Sequence, residues 1–148
     1  MTKAIIDALA GRHQTLGTAE SLTGGLLADA FISVPGASRV MMGGVVAYDE
    51  GRKETLLGVK HDTLVKHTAV SRETALEMAR GARERLQVDY AVSTTGYAGP
   101  DGADVGLVYV GYCGMDGECV REHRFAGDRR AIREQAVQAA VELLSEHI

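Results

Sequence analysis

Thr18-Ala19-Glu20-Ser21-Leu22-Thr23-Gly24-Gly25 is the stretch on which the reading of this chain turns. Six of its eight residues are hydroxylic, acidic or glycine, yet it lies between apolar segments. Gln14 to Gly17 before it leans toward β-structure, and Leu26-Leu27-Ala28-Asp29-Ala30-Phe31 after it repeats at helical spacing. That order predicts a strand, a tight turn and a helix N-terminus. Such a turn sets a side-chain oxygen beside unpaired backbone N–H groups. Ser21 can stand there as a nucleophile, or Ser21 and Thr23 can simply cap the helix; the local spacing fits both.

Outward from this turn, strands and helices alternate. Residues 2–12 read as a helix capped by Thr2, with Ile5, Ile6 and Leu9 on one face. A strand follows around 14–19, then a helix from about 24 to 34, stopped by Pro35-Gly36. Val40 to Tyr48 has the length and composition of a strand, and 50–58 reads as a short helix closed by Gly58. Ser71 caps a helix whose buried stripe is Ala75, Met78, Ala79, Ala82 and Leu86. Asp89 to Thr95 is a strand running into a glycine loop, Gly96 to Gly102. Val105 to Cys113 and Glu118 to Phe125 form a hairpin across Gly114-Met115-Asp116-Gly117, and Asp128 caps the last helix. Alternating elements followed by a late hairpin predict an α/β fold, a three-layer α/β/α sandwich with a mixed β-sheet.

At 148 residues, with no repeat or linker, the chain reads as a single domain, 1–148. A net charge of −4 argues against a general nucleic-acid or anionic-membrane surface, so any phosphate site must be local. No apolar run approaches the roughly 20 residues of a spanning helix, and the N-terminus lacks signal-peptide order. Cys113 and Cys119 match neither a zinc spacing nor a disulfide framework. The expectation is a cytoplasmic protein with free thiols. The apolar Leu107-Val108-Tyr109-Val110 run suggests pairing across a two-fold, hence a homo-oligomer, with a dimer as the simplest case.

Four stretches have the composition of a site. In the first, N–H groups of residues 23–25 beside Ser21 can bind an oxyanion, and Gly24 and Gly25 admit a substrate to the backbone. In the second, Tyr48 and Lys53 lie at a strand end and the start of a helix. A desolvated lysine is a base, and a tyrosine beside it can relay a proton. A solvated lysine and a tyrosine covering the core edge fit the same pattern. In the third, the backbone around Gly99 can wrap a ligand, with Asp101 placed to contact a ribose or a cationic ring. In the fourth, Gly127-Asp128-Arg129-Arg130 puts two cations in a helix's first turn, against its dipole, which suits a bound anion such as phosphate. The alternative for this stretch is exposed arginines, with Arg133 bridging Asp128 or Glu134.

Together these stretches resemble one family. Thr18 to Gly25, Gly43-Gly44-Val45-Val46-Ala47-Tyr48 with Lys53, Gly96-Tyr97-Ala98-Gly99-Pro100-Asp101-Gly102 and Phe125-Ala126-Gly127-Asp128-Arg129-Arg130 are similar, in order, to the CinA C-terminal domain. These are the nicotinamide-nucleotide amidases, which release ammonia from nicotinamide mononucleotide. The resemblance implies a three-layer α/β/α fold and a serine nucleophile assisted by tyrosine and lysine, here Ser21, Tyr48 and Lys53. It implies no metal and no cofactor. Lys53 takes the Ser21 proton directly or through Tyr48. Thr23, Gly24, Gly25, Gly99, Asp101, Arg129 and Arg130 are assigned to a small-molecule nucleotide substrate, the two arginines from helix charge alone. Two features depart from the family pattern. Gly102 to Leu107 is short and lacks the usual Pro-Val-Gly-Thr, and Tyr97 stands where a small aliphatic residue is common. The short loop fits two other readings: a nucleotide- or protein-binding member without turnover, or an amidase for another small amide.

Overall fold

The computed structural model describes residues 1–148. Its strands are β1 (Leu16–Glu20), β2 (Met41–Val46), β3 (Tyr90–Gly96), β4 (Leu107–Gly114) and β5 (Gly117–Arg124). Its helices are α1 (Thr2–Gly11), α2 (Leu26–Ile32), α3 (Glu50–Leu57), α4 (His61–His67), α5 (Arg72–Leu86) and α6 (Arg129–Ser145). The strands form one sheet in the order β2-β1-β3-β4-β5. β1 pairs in parallel with both β2 and β3, whereas β3 to β4 and β4 to β5 are antiparallel.

Period-2 alternation sends side chains to two unequal cores. Ile6, Leu9, Phe31, Val92, Val108 and Leu143 belong to the larger one, under α1, α2 and α6. Ala19, Leu57, Met78, Ala82 and Ala91 belong to the smaller one, under α3 and α5. The three-layer α/β/α sandwich with a mixed sheet is therefore the observed architecture.

Two helix starts follow their sequence signals. Ser71 Oγ accepts the Thr74 N–H at 3.1 Å, and Asp128 Oδ1 accepts the Ala131 N–H at 2.8 Å. Thr2 does not cap α1: it is the first helical residue, and Met1 holds the cap position without a side-chain bond. The helix expected over 24–34 is shorter, because Gly24 and Gly25 have φ of 55° and 105° and end the turn before it. In α5, Gly81 backs directly onto α3. A Cβ there would lie 1.7 Å from the Leu57 carbonyl oxygen, so only glycine lets the two helices meet this closely. This contact seats α3, the helix that carries Lys53.

The apolar run Leu107 to Val110 lies in β4, between β3 and β5, with Leu107, Val108 and Val110 buried. Its backbone is already paired on both sides, so no strand of a second copy can add to it there. The outer strand on that side is β5, which carries Glu118, Arg121, Glu122 and Arg124.

Candidate active site

Parallel β1, β2 and β3 direct their C-terminal ends to one edge of the sheet. β5, two antiparallel steps from β3, ends there as well. The four chain segments leaving this edge are the Ser21 turn, the Tyr48–Lys53 segment, the Gly99 loop and the start of α6. Ligands bind at such edges in open α/β sheets.

Ser21 follows the last residue of β1 and is 6% exposed. Its N–H donates to the Thr94 carbonyl at 3.1 Å, which fixes the residue to β3. Lys53 is 1% exposed, although its neighbours Arg52 and Glu54 carry ordinary surface charges. The Lys53 Nζ lies 2.8 Å from Ser21 Oγ, 2.8 Å from the Ala47 carbonyl and 3.1 Å from the Tyr48 carbonyl. Burial lowers its pKa from 10.5 to about 8, while the Asp49 and Glu50 carboxylates pull the other way. A neutral amine has two N–H donors and one lone pair. With Ala47 O and Tyr48 O taking the donors, the lone pair is left for the Ser21 hydroxyl proton.

Glu20 organises the turn from below. Period 2 places it on the same face as Leu16 and Thr18, under the start of α2, where it is fully buried. One carboxylate oxygen accepts the Thr23 hydroxyl at 2.6 Å and the Gly25 and Leu27 N–H groups at 3.1 and 2.8 Å. The other accepts the Ala28 N–H at 3.0 Å. The cap of α2 is thus Glu20, not Ser21 or Thr23. Thr23 is completely buried, and its hydroxyl meets Thr94 Oγ1 at 2.8 Å, so its side chain offers a substrate nothing.

This moves the candidate oxyanion donors. The Gly24 N–H is taken by the Ser21 carbonyl at 3.1 Å and the Gly25 N–H by Glu20. The N–H groups of Leu22 and Thr23 have no acceptor within the protein. The free donors are therefore at 22 and 23 rather than at 23–25.

Tyr48 does not link Lys53 to Ser21 through its hydroxyl. The strand turns outward after buried Ala47, leaving Tyr48 63% exposed, and only its carbonyl touches the lysine. Its hydroxyl accepts from Arg129 Nη2 at 3.1 Å, and Arg129 Nη1 donates to the Gly99 carbonyl. One arginine at the start of α6 thus ties together the segments after β2 and β3. Arg130 faces elsewhere: its Nε pairs with Glu134 Oε1 at 2.8 Å, an exposed pair one turn along the helix. Asp101 is exposed and has no partner. Arg133 bridges neither Asp128 nor Glu134. Its Nε donates to the Leu22 carbonyl at 2.7 Å and its Nη2 to the Thr23 carbonyl at 3.4 Å, so it joins the Ser21 turn.

Ser21, Lys53, Arg129 and Gly99 are thus brought to one edge as expected, whereas Arg130 is not. Glu20 and Arg133 were missed as site residues. Glu20 had a usable signal, an acid directly before a glycine-rich helix start; Arg133 had only its helical spacing from Arg129.

Comparison with known proteins follows the same outline. The CinA C-terminal domain pattern matches residues 1–148. A CinA-like protein of Leptospira borgpetersenii is 48% identical over 139 residues, covering 90% of this chain and 33% of that protein. A CinA-like protein of Thermotoga neapolitana is 40% identical and is covered over 37% of its length. The chain therefore spans about a third of the curated relatives it matches. The crystal structure of the competence/damage inducible protein CihA from Agrobacterium tumefaciens superposes with a TM-score of 0.95 at 39% identity, over 98% of this chain and 92% of that one. A CinA superfamily protein from Escherichia coli gives 0.95 at 32% identity, over 99% and 88%. The chain belongs to the CinA C-terminal domain family.

Proposed function

We propose that this domain is an amidohydrolase that converts nicotinamide mononucleotide to nicotinate mononucleotide and ammonia. The observation that carries the reading is the 2.8 Å contact between Ser21 Oγ and an amine that is both shielded from water and lowered to a pKa of about 8. A serine hydroxyl attacks a carbonyl only when a neighbouring base accepts its proton. The choice of substrate rests on family resemblance and on the arginine at the site edge.

Neutral Lys53 takes the Ser21 proton directly as Oγ bonds to the carboxamide carbon. The charge on the amide oxygen faces the Leu22 and Thr23 N–H groups. The C–N bond then breaks, the Lys53 proton passes to the leaving nitrogen, and ammonia departs. Water, deprotonated by the same lysine, attacks the acyl carbon. The ester bond to Ser21 Oγ breaks, the Lys53 proton returns to Oγ, and the product leaves as its carboxylate. Assaying ammonia release from nicotinamide mononucleotide, with nicotinate mononucleotide as the matching product, tests this. Release at the background rate refutes it, and tight nucleotide binding without release assigns the domain to binding instead.

Arg129 is the proposed partner of the 5′-phosphate, since it alone of the first-turn pair reaches the site. A charge-assisted hydrogen bond contributes about 1.5–3 kcal/mol. Arg129→Ala is therefore expected to raise KM roughly 10–100-fold. Arg130→Ala, which breaks only an exposed pair, is expected to leave KM within about twofold. Steady-state kinetics on the two variants side by side checks the assignment.

A further inference from the structure

Resting on the acyl-transfer reading of Ser21, we propose that Arg133 is a positioning residue that holds the Leu22–Thr23 peptide as the oxyanion donor. A trans peptide is planar, with its C=O and N–H pointing in opposite directions. Arg133 Nε draws the Leu22 carbonyl toward α6 at 2.7 Å. The N–H of that same peptide, on Thr23, is thereby turned away from α6, and it is one of the two donors left without an acceptor.

The next peptide is held in the same way. Arg133 Nη2 reaches the Thr23 carbonyl at 3.4 Å, while the Gly24 N–H of that unit closes on the Ser21 carbonyl at 3.1 Å. Gly24 leaves room for this: a Cβ there would lie 3.3 Å from Arg133 Nη2. A cation on a carbonyl also polarises the peptide, which strengthens its N–H as a donor. Arg133 forms no ion pair with a carboxylate; its side-chain hydrogen bonds go only to these two carbonyls. Arg130, three residues before it on the same helix, is paired with Glu134. Arg133 makes no hydrogen bond to Ser21 Oγ or to Lys53, so its effect on the reaction passes through the backbone of the turn.

The test is a split between kcat and KM on the full chain. Arg133→Met is expected to lower kcat for ammonia release about 10–100-fold, with KM within about threefold. The pH midpoint near 8, set by Lys53, stays where it is. Arg133→Lys keeps a cation for one carbonyl and recovers several-fold of the loss. Should Arg133→Met fail to melt cooperatively, Arg133→Lys carries the test alone, with a smaller fall in kcat and the same unchanged KM and pH midpoint. An unchanged kcat, a KM that rises in step with the fall in kcat, or a displaced pH midpoint overturns the assignment. The wild type separates this failure from that of the underlying reading. If it releases ammonia and Ser21→Ala does not, a normal kcat in Arg133→Met sinks the Arg133 assignment alone. If the wild type releases none, and its Ser21 is not labelled by an aryl sulfonyl fluoride either, the acyl-transfer reading falls and takes Arg133 with it. If the wild type is labelled without turnover, slower labelling of Arg133→Met supports the assignment and equal labelling overturns it.

Discussion

Ser21→Ala and Lys53→Met are each expected to cut ammonia release about a thousandfold or more, and the double variant little further. The two side chains meet at 2.8 Å and act in one proton transfer, so removing either removes the step. Losses that multiply in the double variant would show two independent roles and refute the pairing. In the wild type, kcat is expected to rise with pH through a midpoint near 8, because only the neutral amine can accept the proton. Roughly one lysine in ten is in that form at pH 7.

The same lysine has a signature in stability. Its folded pKa of about 8 lies below the ordinary 10.5, so between those values the unfolded chain binds more protons. The penalty for burying it is fully present below pH 8 and is relieved as pH rises to 10.5. That relief amounts to about 3 kcal/mol. Urea unfolding of the wild type across this window is expected to show the rise, and Lys53→Met to lack it. Parallel curves for the two proteins would mean that the lysine is not desolvated in the fold.

Glu20→Ala is expected to destabilise the fold by about 4 kcal/mol and lower Tm by roughly 10 °C or more. Glu20 is fully buried and satisfies the Thr23 hydroxyl and the N–H groups of Gly25, Leu27 and Ala28. Alanine strands the buried Leu27 N–H, takes the acceptor from the part-buried Gly25 and Ala28 N–H groups, and leaves the Thr23 hydroxyl with Thr94 Oγ1 alone. Glu20→Gln retains one acceptor oxygen but turns an NH2 group toward donors, so an intermediate loss is expected. Thermal melts of the two variants check the order. A loss below about 1 kcal/mol for alanine would mean that the helix start is held by something else.

The sequence made some of this legible, and the reason differs from residue to residue. Ser71 and Asp128 act within their own turns, so local grammar was enough to place them. α4 was missed because, of its seven residues, only Thr63 and Leu64 are buried, too few to show a period. The turn after β1 was legible as a site, but not which of its N–H groups are free. That depends on the Ser21 carbonyl taking the Gly24 N–H and on a buried carboxylate taking the Gly25 N–H. The burial of Lys53 was invisible in Glu50-Gly51-Arg52-Lys53-Glu54, which reads as surface from end to end. The register of β2 on β1 and the seating of α3 on Gly81 put that one lysine inside. Arg129 and Arg130 look equivalent in the sequence, and only the direction each leaves the helix separates them.

β2 is the outermost strand of the sheet, hydrogen-bonded to β1 and to nothing beyond it. Ser21 follows a strand held from both sides, whereas Lys53 is joined to the sheet through this rim and to the rest of the fold by the seat of α3 on Gly81. Edge elements open at lower free energy than the interior of a fold. A rim that frays would carry the proposed base away from its serine while β1, β3 and β4 stayed intact. Warming would then silence the chemistry before it melted the protein, so the temperature at which this domain stops working would belong to β2 and the seat of α3 rather than to the whole.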